Sequence, residues 1–99
     1  MDRGGCIYIM TNHLRTTFYI GVTSDLQARI QEHQVGKNPK SFTNRYKLHH
    51  CIYYEMHPSI EEAIAREKEI KKWRRGKKVD LINTLNPKWD DLSAEIQRW

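Results

Sequence analysis

Residues 5–22 read GCIYIMTNHLRTTFYIGV. The runs 5–10 (GCIYIM) and 17–22 (TFYIGV) are rich in β-branched and aromatic residues, as strands are. The stretch 11–16 (TNHLRT) between them is short and polar, so the two runs read as a hairpin. A tight, symmetric loop turns about His13 and Leu14 and sets Tyr8 opposite Tyr19, with Cβ atoms roughly 4.5–5.5 Å apart. A wider loop slips the register by two and keeps both phenols on one face. Gly21 weakens its strand unless something approaches closely there. That neighbour is a phosphate backbone or another side chain; a bulge is the plainer alternative.

Downstream, TSDLQARIQEHQVG carries capping residues at Thr23, Ser24 and Asp25, apolar spacing at Leu26 and Ile30, and a terminating Gly36. Arg29 and His33 stand one turn apart on that helix. Residues 37–47 read as a basic loop with Pro39, Phe42 and Tyr46 interleaved. A third strand spans 50–56 (HCIYYEM). Pro58-Ser59 opens the longest helix, with Ser59 as N-cap and Glu61 and Glu62 in its first turn. Its apolar stripe runs through Ile60, Ala63, Ile64, Ile70 and Trp73, and Gly76 is expected to end it. A short helix at 78–85, Asn86-Pro87, and a last amphipathic turn or two complete the chain. The expected class is α/β of the α+β type. A three-stranded, mainly antiparallel sheet is flanked by three or more helices, in the order β-β-α-β-α-α. Two layers, sheet against helices, is the economical architecture.

The chain has 99 residues, 38% hydrophobic and 29% charged, which bounds it to one domain over 1–99 with a motif-bearing core of about 4–90. No apolar run approaches the roughly 18–20 residues of a membrane span. The apolar stretch after Asp2 and Arg3 stops at Met10, which is no secretory signal, so the cytoplasm is the expected compartment. Cys6 and Cys51 lack CxxC spacing and read as reduced core residues. His49, His50 and His57 do not sit at zinc-ligand spacing with either cysteine.

Seventeen basic residues oppose twelve acidic ones, a net charge of +5. The distribution says more than the sum. One cluster holds Lys37, Lys40, Arg45 and Lys47; a second holds Lys71, Lys72, Arg74 and Arg75 with further basic neighbours. Such clusters are the footprint of a polyanion binder, or else solvated faces.

Glu67 falls where the stripe of the long helix should be apolar. A carboxylate there loses solvation and needs a partner. It is a metal ligand, a general acid or base, or one half of an ion pair with Lys71 or Arg29. Tyr8 and Tyr19 are a cross-strand core pair, or phenols that orient or deprotonate a water if cationic neighbours lower their pKa. Arg29 can hold a phosphate or a developing oxyanion, and His33 can exchange a proton beside it. Asn86 before Pro87 is a turn former or an amide that orients the site. Together these groups suit phosphodiester hydrolysis with one divalent metal, which polarises the phosphate. Paired carboxylates for a second metal are missing, since Asp90 and Asp91 read as caps of the final helix.

The segment Cys6-Ile7-Tyr8, with Tyr19-Ile20-Gly21 eleven residues on, resembles the GIY-YIG nuclease family. The ordered series Tyr8, Tyr19, Gly21, Arg29, His33, Glu67 and Asn86 continues the likeness over nearly the whole chain. Cys6 replaces the first glycine of the motif. The chain looks most like small stand-alone members, similar to the N-terminal catalytic domain of the nuclease component of excinuclease ABC. The resemblance implies a three-stranded antiparallel sheet and single-metal hydrolysis of DNA, in repair or recombination. It implies Mg²⁺ or Mn²⁺ held by Glu67. It makes Tyr19 or Tyr8 the water-orienting phenol, Arg29 the stabiliser of the pentavalent phosphate, and His33 a hydrogen-bonding or proton-relaying neighbour of Tyr8. Asn86 would orient the site's backbone, and Gly21 would leave room for substrate. Branched, flapped or damaged DNA is the expected partner, and RNA would suit the same chemistry. The competing expectation is a non-catalytic nucleic-acid-binding module that keeps the fold.

Overall fold

The computed structural model of the chain describes residues 4–36 and 40–99. Its sheet has three strands, β1 (Gly5–Thr11), β2 (Phe18–Thr23) and β3 (His50–His57), in the order β2-β1-β3. Both neighbours run antiparallel to β1. Every residue of β1 is buried, and a strand buried on both sides needs cover on both sides. Five helices supply it: α1 (Leu26–Val35), α2 (Phe42–Arg45), α3 (Ile60–Lys71), α4 (Arg75–Leu85) and α5 (Ser93–Gln97). The architecture is therefore three layers rather than the economical two.

Alternation along β1 separates the cores. Cys6, Tyr8 and Met10 pack with Leu26 and Ile30 of α1, Leu48, and Ile96 of α5. Ile7 and Ile9 pack with Ala63 and Ile70 of α3 and Ile82 of α4 on the opposite face. A register shift opposite Ile9/Met10 places an extra residue in β3. As a result Ile52 and Tyr53, consecutive in sequence, both join the α3 side. Burial lifts the thiol pKa of Cys6 to about 11 and of Cys51 to about 12, so both stay protonated core groups.

The hairpin takes the wider of its two expected registers. Tyr8 pairs with Gly21 and Tyr19 with Met10. The cause is Asn12, whose Oδ1 accepts hydrogen bonds from the amides of Thr16 (2.8 Å) and Thr17 (3.1 Å). This side chain organises a six-residue connection in which Arg15 takes a left-handed φ of 58°.

Helix caps follow the sequence closely. Asp25 accepts from the amide of Ala28, Ser59 from that of Glu62, and Gly36 ends α1 at φ 64°. Three expectations need correction. The stretch 40–47 is not all loop, because Ser41 caps the single turn of α2. Gly76 does not end the long helix. That helix ends at Lys71 with Lys72 as its C-cap, and Gly76 lies inside α4, which starts one turn earlier than expected. Ile64 is half-exposed rather than on the stripe.

The C-terminal segment is tied to β3 by two polar side chains. Asn86 is buried, and its Nδ2 donates to the carbonyls of Ile52 (3.0 Å) and Asp90 (2.8 Å) while its Oδ1 accepts from the Asp90 amide. Asp91 accepts from the Cys51 amide and from Ser93, and pairs with His50 at 3.0 Å. Removing the buried amide strands its carbonyl partners. Asn86→Ala is expected to cost about 2 kcal/mol and to lower the melting temperature by about 10 °C. Thermal denaturation followed by circular dichroism measures this, and an unchanged midpoint would remove the stitching role.

Candidate active site

Four of the residues singled out in the sequence converge on one cavity of about 520 Å³. Tyr8 comes from β1, Tyr19 from the edge strand β2, and Arg29 and His33 from successive turns of α1. Glu32, Ser41, Phe42 and Thr43 complete much of the wall. The convergence is local physics: alternation puts both tyrosines on the α1 face, and the four-residue spacing stacks Arg29 over His33.

The two phenols are not equivalent. Tyr8 is 2% exposed, and its hydroxyl lies 3.0 Å from His33 Nε2. Desolvation raises the Tyr8 pKa well above its ordinary value, outweighing the nearby Arg29 charge that pulls it down. The condition for Tyr8 to deprotonate a water, a pKa lowered by cationic neighbours, is thus not met, and Tyr8 stays a neutral phenol of the core. Tyr19 is partly exposed, and its ring centre lies 6.3 Å from that of Tyr8 and 5.9 Å from that of His33.

Behind Tyr8, the chain of hydrogen bonds continues from His33 Nδ1 to Thr43 Oγ1 (2.9 Å) and from there to Ser41 Oγ (3.2 Å). Thr43 is buried and escaped the sequence reading because its segment looked like loop. The serine three residues before Asn44, whose amide it caps, was the available signal. Burial, then the Arg29 charge, lowers the His33 pKa below 6.5. The unfolded chain therefore protonates this ring before the folded chain does, so stability rises with pH through the window below 6.5 and is lost as pH falls. An NMR titration of the histidine rings is expected to place the His33 midpoint below 6.5, and His33→Gln to flatten the acid-side fall in melting temperature. A His33 midpoint above the ordinary value would contradict this.

Of the neighbours expected at Gly21, the structure shows a side chain, not the substrate that the family resemblance implied. It is buried, and a Cβ built on it would collide with the hydroxyl end of the Tyr8 ring, 2.3 Å from Cζ and 2.5 Å from the hydroxyl oxygen. The space goes to Tyr8 and not to a substrate.

Glu67 lies outside this cavity. It is on α3, whose core residues pack on the opposite face of the sheet, although α3 also packs against the edge strand β2 that carries Tyr19. Its side chain is 15% exposed, between the buried Ala63 and Ile70 on one helix face, and pairs with Lys71 at 3.0 Å. The ion-pair alternative is thus observed, with Lys71 and not Arg29 as partner; Arg29 pairs loosely with Glu32 at 3.7 Å. Among the described residues no group of three or more His, Cys, Asp and Glu forms a cage for a metal ion. Asn86 likewise stands apart, holding backbone rather than lining the cavity.

The basic clusters divide in the same way. Arg45, Lys47, Lys72 and Arg74 are exposed, as is Lys40. Arg75 is engaged: it donates to the carbonyls of Arg15 and Thr16 and stacks over Phe18 at 4.1 Å, clamping the hairpin loop to α4. Lys37 lies outside the described residues.

The chain is similar to known proteins in sequence and in fold. The GIY-YIG catalytic domain family matches residues 4–80. UPF0213 proteins of Staphylococcus aureus strains Mu3 and COL are each 38% identical over 66 residues, covering 67% of this chain and 79% of theirs. The solution NMR structure of the UPF0213 protein BH0048 from Bacillus halodurans is similar, with a TM-score of 0.56 and 28% identity. That likeness covers 91% of this chain and 94% of the other.

Proposed function

The chain belongs to the GIY-YIG family, and on that premise we propose that it is a metal-dependent endonuclease that hydrolyses DNA phosphodiester bonds, with a role in repair or recombination. The observation that carries the reading is the convergence of Tyr8, Tyr19, Arg29 and His33 on one cavity. The family implies a nucleic-acid substrate in general; DNA is our narrower reading. Among the described residues no helix is long and apolar enough to cross a membrane.

On this reading Glu67 is the one carboxylate that would hold a single Mg²⁺ or Mn²⁺, from its place on α3 outside the cavity. Mg²⁺ keeps several waters and takes one or two carboxylates plus substrate phosphate oxygens, so it needs no protein cage. Glu67 offers such a carboxylate, mostly covered and neutralised by one ammonium group. When bound, the ion supplies a Lewis acid for the phosphate and its leaving oxygen. Everything else falls to the chain's own residues. Arg29, exposed in the cavity wall, binds a non-bridging phosphate oxygen and the charge that builds on it. Tyr19 presents the accessible phenol and orients the attacking water. Tyr8, neutral and hydrogen-bonded, holds His33 in place from one ring nitrogen while Thr43 holds it from the other. Asn86 and Gly21 act through backbone and packing as positioning residues.

Supercoiled plasmid, flap and junction substrates incubated with Mg²⁺, with Mn²⁺ and with EDTA test the proposal. Metal-dependent nicking is the expected result. Salt-sensitive binding without cleavage on every substrate would make the chain a binding module instead.

A further inference from the structure

Beside the cavity, α2 and its C-cap carry two aromatic rings that the fold leaves about half uncovered. Phe42 is 47% exposed and Tyr46 49% exposed. Their ring centres lie 4.7 Å apart. Phe42 also stacks on Tyr19, at 6.2 Å with 30° between the planes. Tyr46 thus meets Phe42 and Phe42 meets Tyr19, the last two in the cavity wall. The guanidinium of Arg45 lies 5.8 Å from the Tyr46 ring, and Lys47 is exposed next to it.

A pair of large apolar rings left half in water at a basic rim is poorly explained by packing alone, since neither ring seals a core. Aromatic faces among cations are the usual surface for stacking nucleobases while the cations track phosphates. The occupant is constrained by its own geometry. In the interior of a duplex each base already has both faces stacked on its neighbours, so away from a duplex end it is an unpaired nucleotide that can offer one to Phe42. The pocket volume of about 520 Å³ lies within the usual range for small-ligand sites, roughly 300–1,000 Å³. We infer that Phe42 and Tyr46 stack an unpaired DNA base next to the cavity, so that the preferred substrate presents a single-stranded nucleotide at the bond to be cut. The inference rests on the nuclease reading and narrows its substrate class.

The rings also sit on the element that holds His33. Thr43, between them in sequence, is the residue that meets His33 Nδ1. A base seated on Phe42 would steady α2, and with it the hydrogen-bond chain to Tyr8.

The test is made in EDTA, so that binding is read without cleavage. The probes are a short oligodeoxynucleotide carrying 2-aminopurine and the same strand in duplex. Wild-type protein is expected to bind the single strand more tightly and to change the 2-aminopurine fluorescence by stacking. The Phe42→Ala/Tyr46→Ala variant is expected to lose at least about tenfold in single-strand affinity and the stacking signal, with duplex affinity changed less than about twofold. Phe42→Trp, which keeps a stacking face, is expected to retain both. Equal loss on the two probes, or no loss on either, overturns the inference. A melting temperature for each variant separates loss of the platform from loss of the fold. Cleavage absent on every substrate with the stacking signal intact would sink the nuclease reading alone. Cleavage intact without single-strand preference would sink this one alone.

Discussion

Glu67→Gln is expected to reduce metal-dependent cleavage by at least about a thousandfold while leaving DNA binding within a few-fold of wild type. The amide keeps the shape of the side chain between Ala63 and Ile70 but loses the negative charge. If this carboxylate is the protein's one metal ligand, the loss of Lewis-acid stabilisation, about 4 kcal/mol, converts to that factor. The fold should tolerate the change. The group is already partly desolvated, and its ion pair with Lys71, whose side chain is 49% exposed, is of the solvent-screened kind that contributes little. A second readout removes dependence on the assay: Mn²⁺ binding, followed by water-proton relaxation enhancement, should weaken in the variant with the melting temperature unchanged. Wild-type cleavage in Glu67→Gln would move the metal elsewhere and leave Glu67 as a simple ion-pair residue.

The readable part of this molecule is local in origin. Asp25, Ser59 and Gly36 act on backbone groups within one turn, so their roles follow from sequence alone. The Glu67 anomaly was also visible, because positions 63, 67 and 70 share a helix face whatever the rest of the chain does. Unread features depend on distant partners. The hairpin register turns on a side chain, Asn12, reaching over its own loop. The fate of Arg75 depends on a loop 60 residues earlier. Gly76 reads as a stop, yet the break falls at Lys72 and Gly76 is accommodated at an exposed position of α4, with nothing within 4 Å of where its Cβ would stand. The direction of the Tyr8 pKa shift could not be read from its cationic neighbours, because burial outweighs them.

That burial also explains Gly21→Ala, which should inactivate the protein through one methyl group. In an ordinary strand the exchange would stabilise, since glycine loses more chain entropy on folding, about 0.5–1 kcal/mol relative to alanine. Here Tyr8 pairs directly across from Gly21 and lays its ring over it. The new Cβ would stand 2.8 Å from Tyr8 Cε1, and the ring is rigid and 2% exposed, with little freedom to yield. Overpacking of this kind costs about 1–3 kcal/mol, so the melting temperature should fall by about 10 °C. Any relief requires the phenol to swing away, which breaks its hydrogen bond to His33. Activity should then fall even in protein that remains folded. The double variant Tyr8→Ala/Gly21→Ala isolates the cause. With the ring gone, Gly21→Ala should cost nothing or stabilise, giving a favourable coupling energy of about 1–3 kcal/mol in the double-mutant cycle. Activity should not return, because the Tyr8 hydroxyl is still missing. If Gly21→Ala raised the melting temperature with Tyr8 in place, the ring would not occupy that space, and the glycine would again be free to admit a substrate.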